Sequence, residues 1–115
     1  MKIVEKPWGH EVWWAVTEKY VGKVLHIKKG HKLSLQHHNI KDETVRVSHG
    51  ELLLQLADEH GVLQDHTLFP GEAMRIPTGR MHRMVAISDC DVYEVSTPEV
   101  DDIVRHEDSY GRIAG

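Results

Sequence analysis

Short apolar, β-branched segments follow one another along this chain, each closed by turn chemistry. No other feature restricts its fold as strongly. The segments cover residues 11–16, 23–28, 33–38, 44–47, 52–56, 62–66, 73–76, 82–87 and 92–96. Between them lie Lys29-Gly30, residues 39–42, His49-Gly50, residues 58–61, Pro70-Gly71, residues 77–79 and residues 88–91. Turn signals recurring every 8–12 residues or so point to an all-β sandwich or barrel. A helical period fits none of these segments. The polar tail from Thr97 is expected to hold at most a short helical turn, with Thr97 as cap and Pro98 in the first turn.

Length and charge narrow the classes further. With 115 residues, one domain with a real core is expected, its main body at about residues 20–98, with an N-terminal strand segment (residues 6–16) and a C-terminal tail (residues 99–115) packing on it. A net charge of −4 argues against broad nucleic-acid binding, which needs many phosphates neutralised. No apolar run approaches the roughly 20 residues of a spanning helix, so no membrane partner is expected. One cysteine, Cys90, rules out an internal disulfide framework, and the N-terminus lacks a secretory apolar block; a cytoplasmic setting is expected. Three tryptophans near one end, Trp8, Trp13 and Trp14, are expected to cover a barrel mouth or fill an interface between two copies, and a homodimer is expected.

The ten histidines are the compositional outlier, because histidine is the commonest metal ligand. Along a strand, residues two apart share a face, so Gln36 and His38 point one way and His37 the other. Residues 39–42 read as a four-residue hairpin loop, which would set Glu43 directly across from His38. Opposed residues in a hairpin have Cβ atoms roughly 4.5–5.5 Å apart, close enough for imidazole and carboxylate to share an ion. His82, after the Pro77-Thr78-Gly79 turn, can supply a fourth ligand. His37 is expected to be structural or at an interface, and the remaining histidines have no matching partner and default to solvent.

These positions also follow the spacing of the cupin family. Gly30 is followed by Gln36, where a first histidine usually stands, then His38, Glu43 and Gly50; later come Gly71, Pro77, Gly79 and His82, with Ala86 in place of a final asparagine. Together with Lys6-Pro7-Trp8-Gly9, the run from Leu33 to His38, the run from Asp101 to Asp108 and Tyr110-Gly111-Arg112, the chain resembles the C-terminal cupin domain of type II phosphomannose isomerases. The resemblance implies a single double-stranded β-helix, the cupin jelly roll. It implies one divalent metal per chain on Gln36, His38, Glu43 and His82, zinc first, with manganese, iron, cobalt or nickel also accommodated. It further implies aldose–ketose interconversion of a sugar phosphate. Lys41 and Val45 depart from the family, which usually has Arg and Trp there. No nucleotide-binding Gly-rich loop is present, so nucleotidyl transfer is not expected.

Roles for the remaining groups stay open at this level. Lys23 shares a strand face with Leu25 and Ile27 and matches a family lysine, so it either faces the pocket or packs as structure. Lys23 and Glu94 are both candidates for the general base. Arg105 either holds phosphate or pairs with Asp101, Asp102, Glu107 or Asp108. Arg83 is expected to point away from the metal and Arg80 to belong to a turn. Cys90, in a turn without an activating partner, is not expected to act as a nucleophile. Two other functions fit the same barrel: a non-catalytic module binding a sugar or small acid, and a metal-dependent oxygenase.

Overall fold

The computed structural model describes residues 1–112. Its strands in chain order are β1 (Lys2–Lys6), β2 (Gly9–Val16), β3 (Val21–Ile27), β4 (Leu35–His37), β5 (Glu43–His49), β6 (Leu52–Ala57), β7 (Leu63–Leu68), β8 (Ala73–Ile76), β9 (His82–Ala86), β10 (Cys90–Ser96) and β11 (Val104–Glu107). They form two antiparallel sheets, ordered β1-β2-β3-β10-β5-β8 and β11-β4-β9-β6-β7. Strands β3 to β10 contribute four to each sheet, which is the eight-stranded jelly roll. β2 and then β1 extend one sheet, and β11 extends the other.

Alternation sets which side chains meet between the sheets. Leu52, Leu54 and Leu56 all turn inward, joining Leu25, Ile27, Val45, Val47, Ile76, Met84 and Val92 in the core. On β5 and β10 every second residue is buried, the pattern of a sheet with one dry face. Gly50 closes the β5–β6 turn at φ +84°, where a Cβ would also run into the Asp89 carbonyl oxygen; only glycine fits.

Four expectations are corrected. The stretch after His38 is no hairpin: β4 pairs with β9 and β11, whereas β5 pairs with β10 and β8, so residues 39–42 cross from one sheet to the other. Crossing lets both segments bury their inward faces against each other, which a hairpin within one sheet would not. Residues 97–103 form tight turns, with Val100 N–H donating to Pro98 O and Ile103 N–H to Asp101 O, and no helical turn forms. The tail also holds a strand, β11, whose charged Val-Arg-His-Glu sequence gave no sign of one. Trp8 sits neither at a mouth nor on a surface: it is 2% exposed in the core, while Trp14 lies outside, over Gly22.

Candidate metal centre and cavity

The five-stranded sheet presents two of the expected ligands side by side, Gln36 on β4 and His82 on β9, which are paired in register. His38 follows immediately after β4. Glu43 reaches the same point from the facing sheet, where it opens β5 opposite Ser96 on β10. Its Oε1 lies 3.3 Å from His82 Nε2 and 3.7 Å from His38 Nε2. The structure thus brings His38, Glu43 and His82 together, through a crossing between sheets rather than the expected hairpin.

Both imidazoles are oriented by their other nitrogen. His38 Nδ1–H donates to Asp102 O at 2.6 Å, and His82 Nδ1–H donates to Arg80 O at 2.9 Å. In the neutral tautomer this fixes, each Nε2 lone pair faces Glu43. Gln36 Oε1 and His82 Nε2 are buried without a hydrogen-bond partner. Converging lone pairs and a carboxylate in a dry site repel one another unless a cation lies between them. Two imidazole nitrogens and a carboxylate oxygen within 4.8 Å of one another, with the unpaired Gln36 Oε1 on the strand beside His82, suit a divalent transition metal, so the residues present fit the group.

The loop that delivers His38 is clamped from two sides. The Asp102 carboxylate accepts from the backbone N–H groups of Asn39, Ile40 and Lys41 at 3.1, 2.7 and 2.9 Å. Those bonds hold its carboxyl down at about 2. Thr78 Oγ1 donates to Ile40 O on the opposite side. Gly79 N–H donates to His38 O at 2.7 Å, so the turn before β9 ties the two histidine-bearing segments together.

Lys41 is the main residue that sequence reasoning did not place. Its ammonium is buried 2.9 Å from Glu43 Oε2 and 3.3 Å from Glu94 Oε2, bridging the two carboxylates. Burial disfavours its charge, yet Glu94 and Glu43 more than reverse that and raise its pKa. Burial likewise pushes Glu43 upward, but the adjoining His38 and His82 rings and the Lys41 charge leave it well below the usual range. For Glu94 burial wins, reinforced by the Glu43 charge, and the carboxyl is raised. A loop lysine normally reads as solvated; only its departure from the family pattern marked it.

Beside the cluster, a cavity of about 310 Å³ opens between the sheets, lined by Gln36, His38, Glu43, Glu94, Lys23 and Arg105 among others. Lys23 faces it, with its ammonium 3.6 Å from Glu11 and 4.1 Å from the Trp13 ring centroid. Arg105 pairs in register with Gln36 and makes none of the salt bridges considered for it; Asp108 is taken by Arg112 at 2.9 Å. Arg83 points elsewhere, its Nε–H donating to Leu33 O. Cys90 begins β10 rather than lying in a turn, and burial pushes its thiol up. His37 faces out to His106 at 2.7 Å, His26 meets Asp91 at 2.5 Å and His31 meets Tyr110 at 2.6 Å. These three pairs lie 65 or more residues apart in sequence, so no local pattern could have revealed them.

Residues 1–108 match the family model described as mannose-6-phosphate isomerase C-terminal. The mannose-1-phosphate guanylyltransferase ManC of Salmonella typhimurium is 30% identical over 115 residues, covering 96% of this chain but 23% of that protein. The chain therefore spans about a quarter of that relative's length. KdgF from Halomonas sp. superposes with a TM-score of 0.77 at 22% identity, over 89% of this chain and 90% of that one. A sugar phosphate isomerase from a cupin superfamily, from Silicibacter pomeroyi, gives 0.62 at 24% identity, over 76% and 58%. A Klebsiella pneumoniae protein with a double-stranded β-helix domain gives 0.70 at 18% identity, over 83% and 76%. At such identities the structural likeness establishes the fold.

Proposed function

The chain belongs to the mannose-6-phosphate isomerase C-terminal family, and from that premise we propose that it is a metal-dependent sugar-phosphate aldose–ketose isomerase. The observation that carries this reading is the pair of imidazoles that converge with Glu43 on one point beside a sugar-sized cavity, with Gln36 on the cavity wall. Gln36, His38, Glu43 and His82 would hold one divalent ion, which supplies Lewis-acid stabilisation of charge developing on the sugar oxygens.

The rest of the work falls to the protein's own groups. Isomerisation removes a proton beside a carbonyl and returns it to the neighbouring carbon through an enediol. A carboxylate is the natural acceptor, and Glu94 sits one ammonium away from Glu43, with a raised carboxyl able to return the proton. Lys23 is engaged with Glu11 and Trp13, a placement that suits binding of sugar hydroxyls better than proton abstraction. Arg105, registered beside Gln36, presents a guanidinium for the phosphate. A cytoplasmic setting, where sugar phosphates are made and used, fits the same reading.

The test is turnover of hexose 6-phosphates by protein loaded in turn with zinc, manganese, iron, cobalt and nickel. Ketose formation that is abolished by chelation and restored by metal is expected. Absence of turnover with all five overturns the isomerase; saturable sugar binding without turnover would then favour the binding module.

A further inference from the structure

Every buried or half-buried cation around the cavity except two is neutralised by a carboxylate. Lys23 is held by Glu11, Lys41 by Glu43 and Glu94, and Arg112 by Asp108. Lys6 and Arg105 have no such partner among the described residues, although both line the main cavity and a small recess of about 50 Å³ continuous with its lining. Arg105 Nε is, in addition, buried with no acceptor. Asp101, the remaining acid on the lining, is solvent-exposed and forms no ion pair with either. Leaving a buried guanidinium N–H unsatisfied costs more than a neutral donor would, so Arg105, with the half-buried and unpaired Lys6 ammonium lining the same recess, makes a site that is incomplete without an anion.

We propose that Lys6 and Arg105 together form an oxyanion seat at the end of the cavity, taking the phosphate or carboxylate group of a short polyhydroxy ligand. This deepens the isomerase reading and rests on it for the identity of the polyol. The two residues come from the chain's opposite ends: Lys6 closes β1, and Arg105 lies on β11. Neither strand belongs to the eight-stranded barrel, so the terminal segments build the seat while the barrel builds the metal cluster. Because Arg105 is the cross-strand neighbour of Gln36, seat and cluster adjoin. A ligand gripped at both therefore carries its charged group within a few carbons of its metal-seeking oxygens. Crowding agrees with this arrangement: burial, together with the charges of Lys23, Arg112 and Arg105, lowers the Lys6 pKa against the opposing pull of Glu11. A bound dianion would relieve that repulsion.

Calorimetric titration of the full chain with inorganic phosphate tests the seat, using protein as purified and again after chelation. Phosphate should bind in both states. Lys6→Met and Arg105→Met should each weaken it about tenfold to hundredfold, Lys6→Arg should retain it, and the exposed-surface control Lys19→Met should leave it unchanged. Mannose 6-phosphate and mannuronate then separate the two anion sources by which one shows the same Lys6 dependence. Wild-type affinity in folded Lys6→Met and Arg105→Met, or phosphate binding that disappears on chelation, overturns the seat. Lys6-dependent binding without isomerisation of any sugar phosphate preserves the seat and removes the isomerase. Isomerisation with KM unmoved by Lys6→Met does the reverse.

Discussion

His38 Nδ1–H donates to the main-chain oxygen of Asp102 over 2.6 Å, so the tail that carries Arg105 also aims an imidazole of the candidate metal cluster. The Asp102 side chain meanwhile holds the three residues that follow His38. One residue of the tail thus couples the strand that carries Arg105 to the His38–Glu43–His82 side of the cavity.

That coupling gives a first expectation. Asp102→Asn keeps the main-chain oxygen but loses the charge that three N–H groups donate to, and it should weaken metal binding about 10- to 100-fold, as loss of an outer-sphere support does. It should also change the pH dependence of stability. Because the folded value of about 2 lies below the ordinary aspartate value, the carboxylate's contribution is complete above that ordinary value, about 3.9, and is lost as pH falls towards 2. Urea midpoints of wild type and variant should therefore converge between about pH 4 and pH 2. A constant gap across that window would contradict the assignment.

Removal of one strong ligand should empty the metal centre. Elemental analysis of His82→Ala, purified without added metal, should show most of the ion gone while the circular dichroism remains that of a β protein. Full occupancy would mean that the ion is held elsewhere. Gln36→Ala should lose less, because an amide is the weakest donor of the set.

The two candidate bases separate by mutation. Glu94→Gln should lower kcat about 10²- to 10⁴-fold with metal content unchanged, whereas Lys23→Met should act mainly on KM. Since the Glu94 carboxyl is raised and its ionised form accepts the proton, the acid limb of kcat should lie above the ordinary glutamate value, about 4.3. An acid limb at or below that value would exclude Glu94.

A dimer, expected from the sequence, has a suitable face in the structure. On the outer side of the larger sheet Ile3, Val12, Val24 and Tyr93 lie in one registered row, flanked by Val95 and Trp14. Ile3, Tyr93, Val95 and Trp14 are 64%, 44%, 50% and 50% exposed, an apolar surface that a second copy would dry. Sedimentation should show a dimer at micromolar concentration and a monomer for Tyr93→Lys. A wild-type monomer, or an unshifted variant, would remove this face from consideration.

What the sequence determined by itself was whatever depends on period and spacing. Alternation put Gln36 and His38 on one face and His37 on the other, because side-chain direction along a strand repeats every two residues whatever the strand pairs with. Motif spacing likewise grouped Gln36, His38, Glu43 and His82. Tertiary structure decided everything that needed two segments to meet. The loop after His38 crosses between sheets instead of turning back, Lys41 is drawn inward between Glu43 and Glu94, and β11 brings Arg105 beside Gln36. These outcomes were set by which charges could be neutralised and which backbone groups could be paired inside a closed barrel. Lys41 faces carboxylates near in space, one of them 53 residues away along the chain, and no local pattern of hydrophobicity records that.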